Sequence, residues 1–127
     1  MKITNMSRKQ KKIFVVDDDP SILEVMTIVL EDKGYDVSSI STGPQFFELL
    51  KKGPHPDLIF LDLWISGSEG TEITKQLKAD KKTKDIPVII VSALNDLETI
   101  CEDAGADGFL EKPFEIENLL SLVEKHT

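Results

Sequence analysis

The sequence lacks the features that mark disulfide-stabilised, zinc-binding and membrane-spanning proteins. Its 127 residues include one cysteine, Cys101, so no intrachain disulfide can form. The cysteine and the two histidines do not have the spacing of a zinc site. No apolar run approaches the roughly 20 residues that a transmembrane helix needs, and the N-terminus has no signal-peptide segment. We therefore expect one globular domain, located in the cytoplasm and making no membrane contact.

The charge of the chain is unevenly distributed. The formal net charge is −8, yet residues 1–12 hold five bases and no acid, which leaves 10 bases against all 23 acids in the remainder. Because nucleic-acid binding depends on Lys and Arg neutralising phosphates, we expect no direct binding to nucleic acid. Residues 1–10 are predicted to be a basic, flexible extension, with an interaction arm as the alternative, and residues 11–127 the folded domain.

Apolar strand-type runs alternate five times with helix-type stretches. The predicted strands are Lys12–Val16, Tyr35–Ile40, Asp57–Leu61, Pro87–Val91 and Asp107–Glu111, and the predicted helices are Pro20–Lys33, Pro44–Lys52, Gly70–Ala79, Leu94–Ala104 and Glu115–His126. The first, third and fourth strands are apolar without alternation, as expected when both faces of a strand are covered. Five such units predict an α/β fold with a parallel sheet and helices on both faces.

Acidic, hydroxyl and amine side chains follow the predicted strands. They are Asp17, Asp18 and Asp19 after the first strand, Asp62 after the third, Ser92 after the fourth and Lys112 after the fifth. In open parallel sheets, ligands bind beyond the carboxyl ends of the strands. An isolated Asp or Ser there is typical of a helix N-cap, and we assign Asp19, which precedes Pro20, to that role. The remaining residues together predict a functional site at one rim of the sheet.

Several short motifs in this order resemble the receiver domains of two-component response regulators, over about residues 11–126. They are VVDDDP at 15–20, Asp62 in LIFLD, Ser92 in VIIVSA, GADGF at 105–109 and KPF at 112–114. The resemblance implies a flavodoxin-like, doubly wound sheet with strand order 2-1-3-4-5. It also implies that residues 11–127 are a receiver domain.

The resemblance implies a role for each site residue. Asp62 is the expected phosphoacceptor, taking a phosphoryl group from a phosphohistidine on a sensor histidine kinase or a histidine phosphotransfer protein. The expected ligands of Mg²⁺ (or Mn²⁺) are Asp17, Asp18, Asp62 and the backbone carbonyl of Trp64. Lys112 is expected to neutralise phosphoryl charge and Ser92 to hydrogen-bond a phosphoryl oxygen.

The resemblance also implies a switch. The Ser92 hydroxyl and the aromatic residue of strand 5, Phe109, are expected to move together and change the helix 4–strand 5–helix 5 face, where a downstream protein binds. Phe109 cannot donate the hydrogen bond that a tyrosine would, so the alternative is a simple core residue. Lys112–Pro113 is expected to be cis. The domain is expected to promote its own phosphorylation and slow autodephosphorylation without being a turnover enzyme.

The loop after Asp62 departs from the family pattern. Ile65-Ser66 replaces the usual Met-Pro and Gly67 follows, which predicts a looser loop and a less firmly held Trp64 carbonyl. The two positions expected to flank the phosphoryl group are Trp64 and Leu94. Neither apolar side chain can orient an attacking water, so we expect a long-lived aspartyl phosphate.

Three other functions are compatible with parts of the pattern. A haloacid-dehalogenase-type phosphatase needs a second aspartate two residues after its nucleophile, where this chain has Trp64. A flavodoxin-like FMN binder would present hydroxyls and amides to a phosphate, which three carboxylates repel. A receiver-like interaction module that is never phosphorylated would not need Asp62, Ser92 and Lys112 together. Each is therefore a weaker interpretation than a phosphorylated receiver.

Overall fold

The computed structural model describes residues 10–127, and the basic extension predicted over residues 1–10 lies outside it except for Gln10. The main sheet comprises β1 (Lys12–Val16), β2 (Asp36–Ile40), β3 (Leu58–Asp62), β4 (Val88–Ser92) and β5 (Gly108–Glu111). The helices are α1 (Pro20–Asp32), α2 (Gly43–Lys52), α3 (Gly70–Ala79), α4 (Leu97–Ala104) and α5 (Ile116–His126). All five predicted strand and helix pairs are present.

The five strands are parallel and lie in the order β2-β1-β3-β4-β5, as predicted. Alternate residues of the central strands face opposite sides of the sheet. On one side Phe14, Val16 and Leu61 pack with α2 and α3, and a smaller cluster beside them packs α4. On the other side Val15 and Phe60 pack with α1 and α5. Because both sides are covered, the central strands are apolar at almost every position.

Helix α4 begins three residues later than predicted. The backbone N–H of Leu94 donates to the Ser92 hydroxyl oxygen at 3.2 Å, and the helix starts at Leu97 after Asp96. A serine hydroxyl that bonds to the chain two residues on offers the backbone an alternative to a helical turn. Residues 93–96 therefore form a connection at the rim of the sheet.

A short antiparallel ribbon follows β3 and was not predicted. It pairs Trp64–Ile65 with Ser68–Glu69. Ser66 and Gly67 form its turn, and Gly67 has a φ of +87°, which glycine adopts without strain. Within residues 10–127, the longest helix has 13 residues and none could cross a membrane.

Candidate functional site

The carboxyl ends of the strands bring the predicted site residues to one rim. Asp62 and Ser92 are the last residues of β3 and β4, and Asp17 and Lys112 directly follow β1 and β5. The strand ends are aligned, since Val16 lies beside Leu61, Asp62 beside Val91 and Ser92 beside Glu111. The aligned register places four chain segments around one concave edge.

Three carboxylates converge at this edge. Asp17, Asp18 and Asp62 each present a carboxylate oxygen, and these oxygens lie within 4.8 Å of one another. Asp17 is only 2% exposed, Asp62 is partly buried and Asp18 is exposed. The cluster thus has a buried inner member and an outer member open to solvent.

Two hydrogen bonds hold Asp17 in place after β1. The Asp17 N–H donates to the Ile40 carbonyl at 3.0 Å, and the Asp17 carboxylate accepts from the Asp19 N–H at 2.9 Å. Asp19 is not part of the cluster, and its carboxylate accepts from the Ser21 N–H at 2.9 Å. The predicted N-cap role of Asp19 is confirmed, and Asp17 and Asp18 remain as the site members of the turn.

Lys112 is the cation nearest to the carboxylates. Its Nζ lies 2.8 Å from Asp17 Oδ2 and 3.4 Å from Asp62 Oδ1. Burial opposes the charged form of Lys112, but its contacts with Asp17 and Asp62 outweigh burial and raise its pKa. Lys112 is therefore a fixed positive charge beside both acids.

The pKa of Asp62 is raised. Burial, together with the repulsion from Asp17, raises its pKa from 3.8 to about 6, although Lys112 and the Leu63 N–H act in the opposite direction. Three carboxylates also face a single lysine at this edge, so the negative charge is not balanced. A divalent cation would supply the missing positive charge.

The donor set fits Mg²⁺. This ion prefers oxygen ligands, binds one or two carboxylates in typical sites and keeps several waters. The cluster offers Asp18 and Asp62 on its accessible side and Asp17 behind them. Histidine and cysteine, which suit zinc, are absent from this cluster of described residues. The site residues therefore match a hard divalent cation.

The ribbon presents Trp64 beside the acids. The Gly70 N–H donates to the Leu63 carbonyl at 2.6 Å, next to the Trp64–Glu69 pair. Because bonded and non-bonded pairs alternate in an antiparallel ladder, Trp64 occupies a non-bonded position and its carbonyl points away from Glu69. The paired ribbon therefore has more backbone hydrogen bonds than the looser loop that the sequence predicts after Asp62.

The turn of the ribbon is attached to the start of α2. The Gly43 N–H donates to the Ser66 carbonyl at 3.0 Å, and Thr42 and Ser66 form an isolated parallel bridge. This attachment was not predicted. The sequence does contain a signal for the turn of the ribbon, namely the dipeptide Ser66-Gly67 between two short runs.

The remaining predicted residues differ in burial and position. Ser92 is 5% exposed, and its carbonyl accepts from the Lys112 N–H at 2.8 Å. Phe109 lies on β5, is partly buried and packs against the cluster beneath α4. The Lys112–Pro113 peptide bond is cis. The side chains of Trp64 and Leu94 are 59% and 46% exposed.

Comparison with protein families gives one match that covers most of the chain. Residues 13–124 match the model described as "Response regulator receiver domain". The DNA-binding dual master transcriptional regulator RpaA of Synechocystis sp. is 38% identical over 114 residues, which cover 88% of this chain and 47% of RpaA. The chain therefore spans about half the length of this curated relative.

Solved structures show the same architecture. The chemotaxis protein CheY4 of Vibrio cholerae has a TM-score of 0.85 and 26% identity, covering 94% of this chain and 100% of CheY4. The response regulator TrrA of Thermotoga maritima, solved in complex with Mg²⁺-BeF, has a TM-score of 0.82 and 29% identity, covering 93% and 100% of the two chains. The family match, the strand order and the acidic rim agree, and the chain belongs to the response regulator receiver domain family.

Proposed function

We propose that Asp62 of this receiver domain accepts a phosphoryl group from a phosphohistidine in the presence of Mg²⁺ (or Mn²⁺). The convergence of Asp17, Asp18 and Asp62 at one rim, with Lys112 against two of them, carries this proposal. Asp62 is the nucleophile because it ends the central strand β3. Asp17 is less accessible, since its carboxylate already accepts from the Asp19 N–H and contacts Lys112.

In the proposed step, an Asp62 carboxylate oxygen attacks the phosphorus atom and forms an O–P bond. The P–N bond of the phosphohistidine breaks, and its electron pair returns to the imidazole nitrogen. Lys112 neutralises charge on the phosphoryl oxygens, and Ser92 donates its hydroxyl hydrogen to one of them. Asp17, Asp18, Asp62 and the Trp64 carbonyl would hold Mg²⁺, which would supply further charge neutralisation when bound.

The proposed partners follow from this chemistry. The phosphodonor is a sensor histidine kinase or a histidine phosphotransfer protein in the cytoplasm. Once the Ser92 hydroxyl donates to a phosphoryl oxygen, its oxygen, which accepts from the Leu94 N–H, is drawn toward the phosphoryl group, and the 93–96 connection moves with it. Phe109 packs beneath α4 and responds to that movement, which alters the α4–β5–α5 face for a downstream protein. DNA binding is named for the longer relative RpaA and is not part of this proposal.

Intact-mass measurement tests the proposal. The wild-type protein incubated with acetyl phosphate and Mg²⁺ is expected to gain one phosphoryl group, and Asp62→Asn is expected to gain none. Asp19→Asn is the matched control, because asparagine also caps helices and the Asp19 carboxylate caps α1 outside the carboxylate cluster. Absence of an adduct on the wild-type protein with either Mg²⁺ or Mn²⁺ would contradict the proposal, as would an adduct that persists in Asp62→Asn.

We also propose slow autodephosphorylation. Trp64 and Leu94 have exposed side chains, and neither offers an acceptor atom that could take a hydrogen bond from a water attacking phosphorus. The double variant Trp64→Asn, Leu94→Glu is expected to lose its phosphoryl group faster than the wild type, by about 10-fold or more, because a positioned polar group assists water attack. The decay of the phosphorylated mass after removal of acetyl phosphate measures this rate. A wild-type decay as fast as that of the variant would overturn the idea.

A further inference from the structure

Gly70 sits unusually close to the backbone of Asp62. A Cβ atom built on Gly70 would overlap the Asp62 carbonyl oxygen, and it would lie 3.0 Å from Leu63 Cα and 3.2 Å from the Asp62 carbonyl carbon. These neighbours are backbone atoms, so no side-chain rotation can relieve the overlap. Any residue other than glycine must therefore shift the end of β3, the start of α3 or both.

One hydrogen bond joins the start of α3 to the segment after β3, and a second, within α3, stiffens its first turn. The Gly70 N–H donates to the Leu63 carbonyl at 2.6 Å. The Gly70 carbonyl accepts from the hydroxyl of Thr74, a fully buried residue, at 2.8 Å. Gly70 does not have a positive φ, so glycine is needed here for the close approach and not for backbone conformation.

We propose that Gly70 is a positioning residue that sets the location of the Asp62 carboxylate and of the adjacent Trp64 carbonyl for phosphorylation. This inference rests on the proposed role of Asp62. Asp62 is the last residue of β3, so a displacement of its peptide group moves its carboxylate relative to Asp17 and Lys112, which belong to other segments. A displacement of the order of 1 Å at a reacting group can lower a rate by about 100-fold.

Gly70→Ala is the direct test, and Gly34→Ala is its matched control. Gly34 has a φ of +94°, and a Cβ added there would have no atom within 4 Å, so alanine strains the chain far from the site without a clash. Phosphorylation by acetyl phosphate is measured by intact mass, and the free energy of unfolding is measured in urea for both variants. Mg²⁺ binding is followed through the fluorescence of Trp64, the only tryptophan.

The expected result is a phosphorylation rate about 10- to 100-fold lower in Gly70→Ala, with Mg²⁺ affinity reduced by about 10-fold. Gly34→Ala is expected to keep both wild-type values even where its loss of stability is similar. A folded Gly70→Ala protein with the wild-type rate and Mg²⁺ affinity would overturn the inference. If the wild type is not phosphorylated, the proposed function fails instead, and the two failures are distinguishable.

Thr74→Val keeps the inference testable if Gly70→Ala does not fold. Valine is close to threonine in shape but lacks the hydroxyl that bonds the Gly70 carbonyl. The expected result is a lower phosphorylation rate and weaker Mg²⁺ binding in a protein that still unfolds cooperatively. Wild-type values for both quantities in Thr74→Val would contradict the positioning role.

Discussion

At the scale of single residues, the acidic turn after β1 divides into two functions. Asp19 caps α1 through its bond from the Ser21 N–H, while Asp17 and Asp18 join Asp62 in the carboxylate cluster. Like charges held this closely repel one another, and two carboxylates about 4 Å apart do so by about 4 kcal/mol at an effective dielectric constant of about 20. Lys112 relieves part of this repulsion, while burial and then the charge of Asp17 raise the pKa of Asp62 to about 6.

The metal-free protein should therefore be stabilised by Asp62→Asn. The Asp62 pKa is about 6 in the folded chain, against an ordinary value of 3.8. Between these two pH values, Asp62 is largely protonated in the folded protein and largely ionised in the unfolded chain. The free energy of unfolding consequently falls as pH rises from about 4 to about 6. After a discount for partial exposure, we expect Asp62→Asn to be more stable by about 1–2 kcal/mol at about pH 7.

Urea unfolding with a chelator present measures this difference. The stabilisation by Asp62→Asn should shrink as pH is lowered toward about 4, because wild-type Asp62 is then protonated in the folded state and increasingly so in the unfolded chain. A variant that is less stable than the wild type at neutral pH would show that Lys112 fully compensates the Asp62 charge. A stabilisation that does not change with pH would show that ionisation of Asp62 is not its cause.

At the scale of secondary-structure elements, the ribbon after β3 is attached to the first turn of α2. A Cβ on Gly43 would overlap the Ser68 hydroxyl oxygen and lie 2.8 Å from Ser68 Cβ. Unlike the neighbours of Gly70, these atoms belong to a side chain that can be removed. A side chain at position 43 could therefore be accommodated by changing Ser68, whereas a side chain at position 70 must shift the backbone.

Gly43→Ala should destabilise the fold by about 1–3 kcal/mol, as overpacking does. Adding Ser68→Gly should restore much of that loss, because it removes the atoms that the new methyl group meets. A double-mutant cycle of unfolding free energies measures the coupling, expected at about 1–3 kcal/mol. The matched pair Gly34→Ala with Ser68→Gly should be additive. Additivity in the Gly43 pair as well would show that the start of α2 does not contact the ribbon through Ser68.

The elements themselves could be predicted from the sequence, but the ribbon could not. Runs such as Phe14–Val16 and Ile59–Leu61 are buried on both faces, and their composition identifies them. The ribbon has two residues in each strand, too few for a periodic pattern. Its contact with α2 joins residues far apart in the chain, so neither local propensity nor spacing indicates it. The start of α4 was missed for a different, local reason, since the Ser92 hydroxyl oxygen accepts from the Leu94 N–H and delays the helix.

The imidazole of His126 is less accessible than its place near the end of the chain suggests. That place indicates a surface residue, yet His126 is partly buried and its Nε2 has no hydrogen-bond partner among residues 10–127. Its Nε2 lies 3.7 Å from a Cβ built on Gly108, an ordinary contact distance, so the ring lies close to β5. A contact with a residue on another element is not visible in local sequence.

At the scale of the whole molecule, the order of the strands gathers the site from four separate segments. Residues 17–18, 62, 92 and 112 are far apart in sequence, and only the parallel sheet with β1 and β3 adjacent makes them neighbours. Composition and periodicity predicted a parallel sheet. The order itself was implied by the family resemblance, because the strands are too alike in composition to specify their neighbours.

A site assembled in this way should link Mg²⁺ binding to global stability. Ligand that binds only the folded state raises the free energy of unfolding, by about 1.4 kcal/mol at a concentration about ten times the dissociation constant. We expect this increase in the wild type and in Asp19→Asn, and we expect it to be lost in the double variant Asp17→Asn, Asp18→Asn. Urea unfolding across a Mg²⁺ titration gives the values. An equal increase in the double variant would place the cation elsewhere.

The most direct test of the central claim is to locate the phosphoryl group among the crowded acids. Borohydride reduces an aspartyl phosphate to homoserine and releases the phosphate, and peptide sequencing by mass spectrometry then identifies the altered residue. After treatment with acetyl phosphate and Mg²⁺, we predict homoserine at position 62 and unaltered aspartate at positions 17 and 18. Homoserine at position 17 or 18, or at no position in a protein that carries a phosphoryl group, would contradict the assignment of Asp62 as the phosphoacceptor.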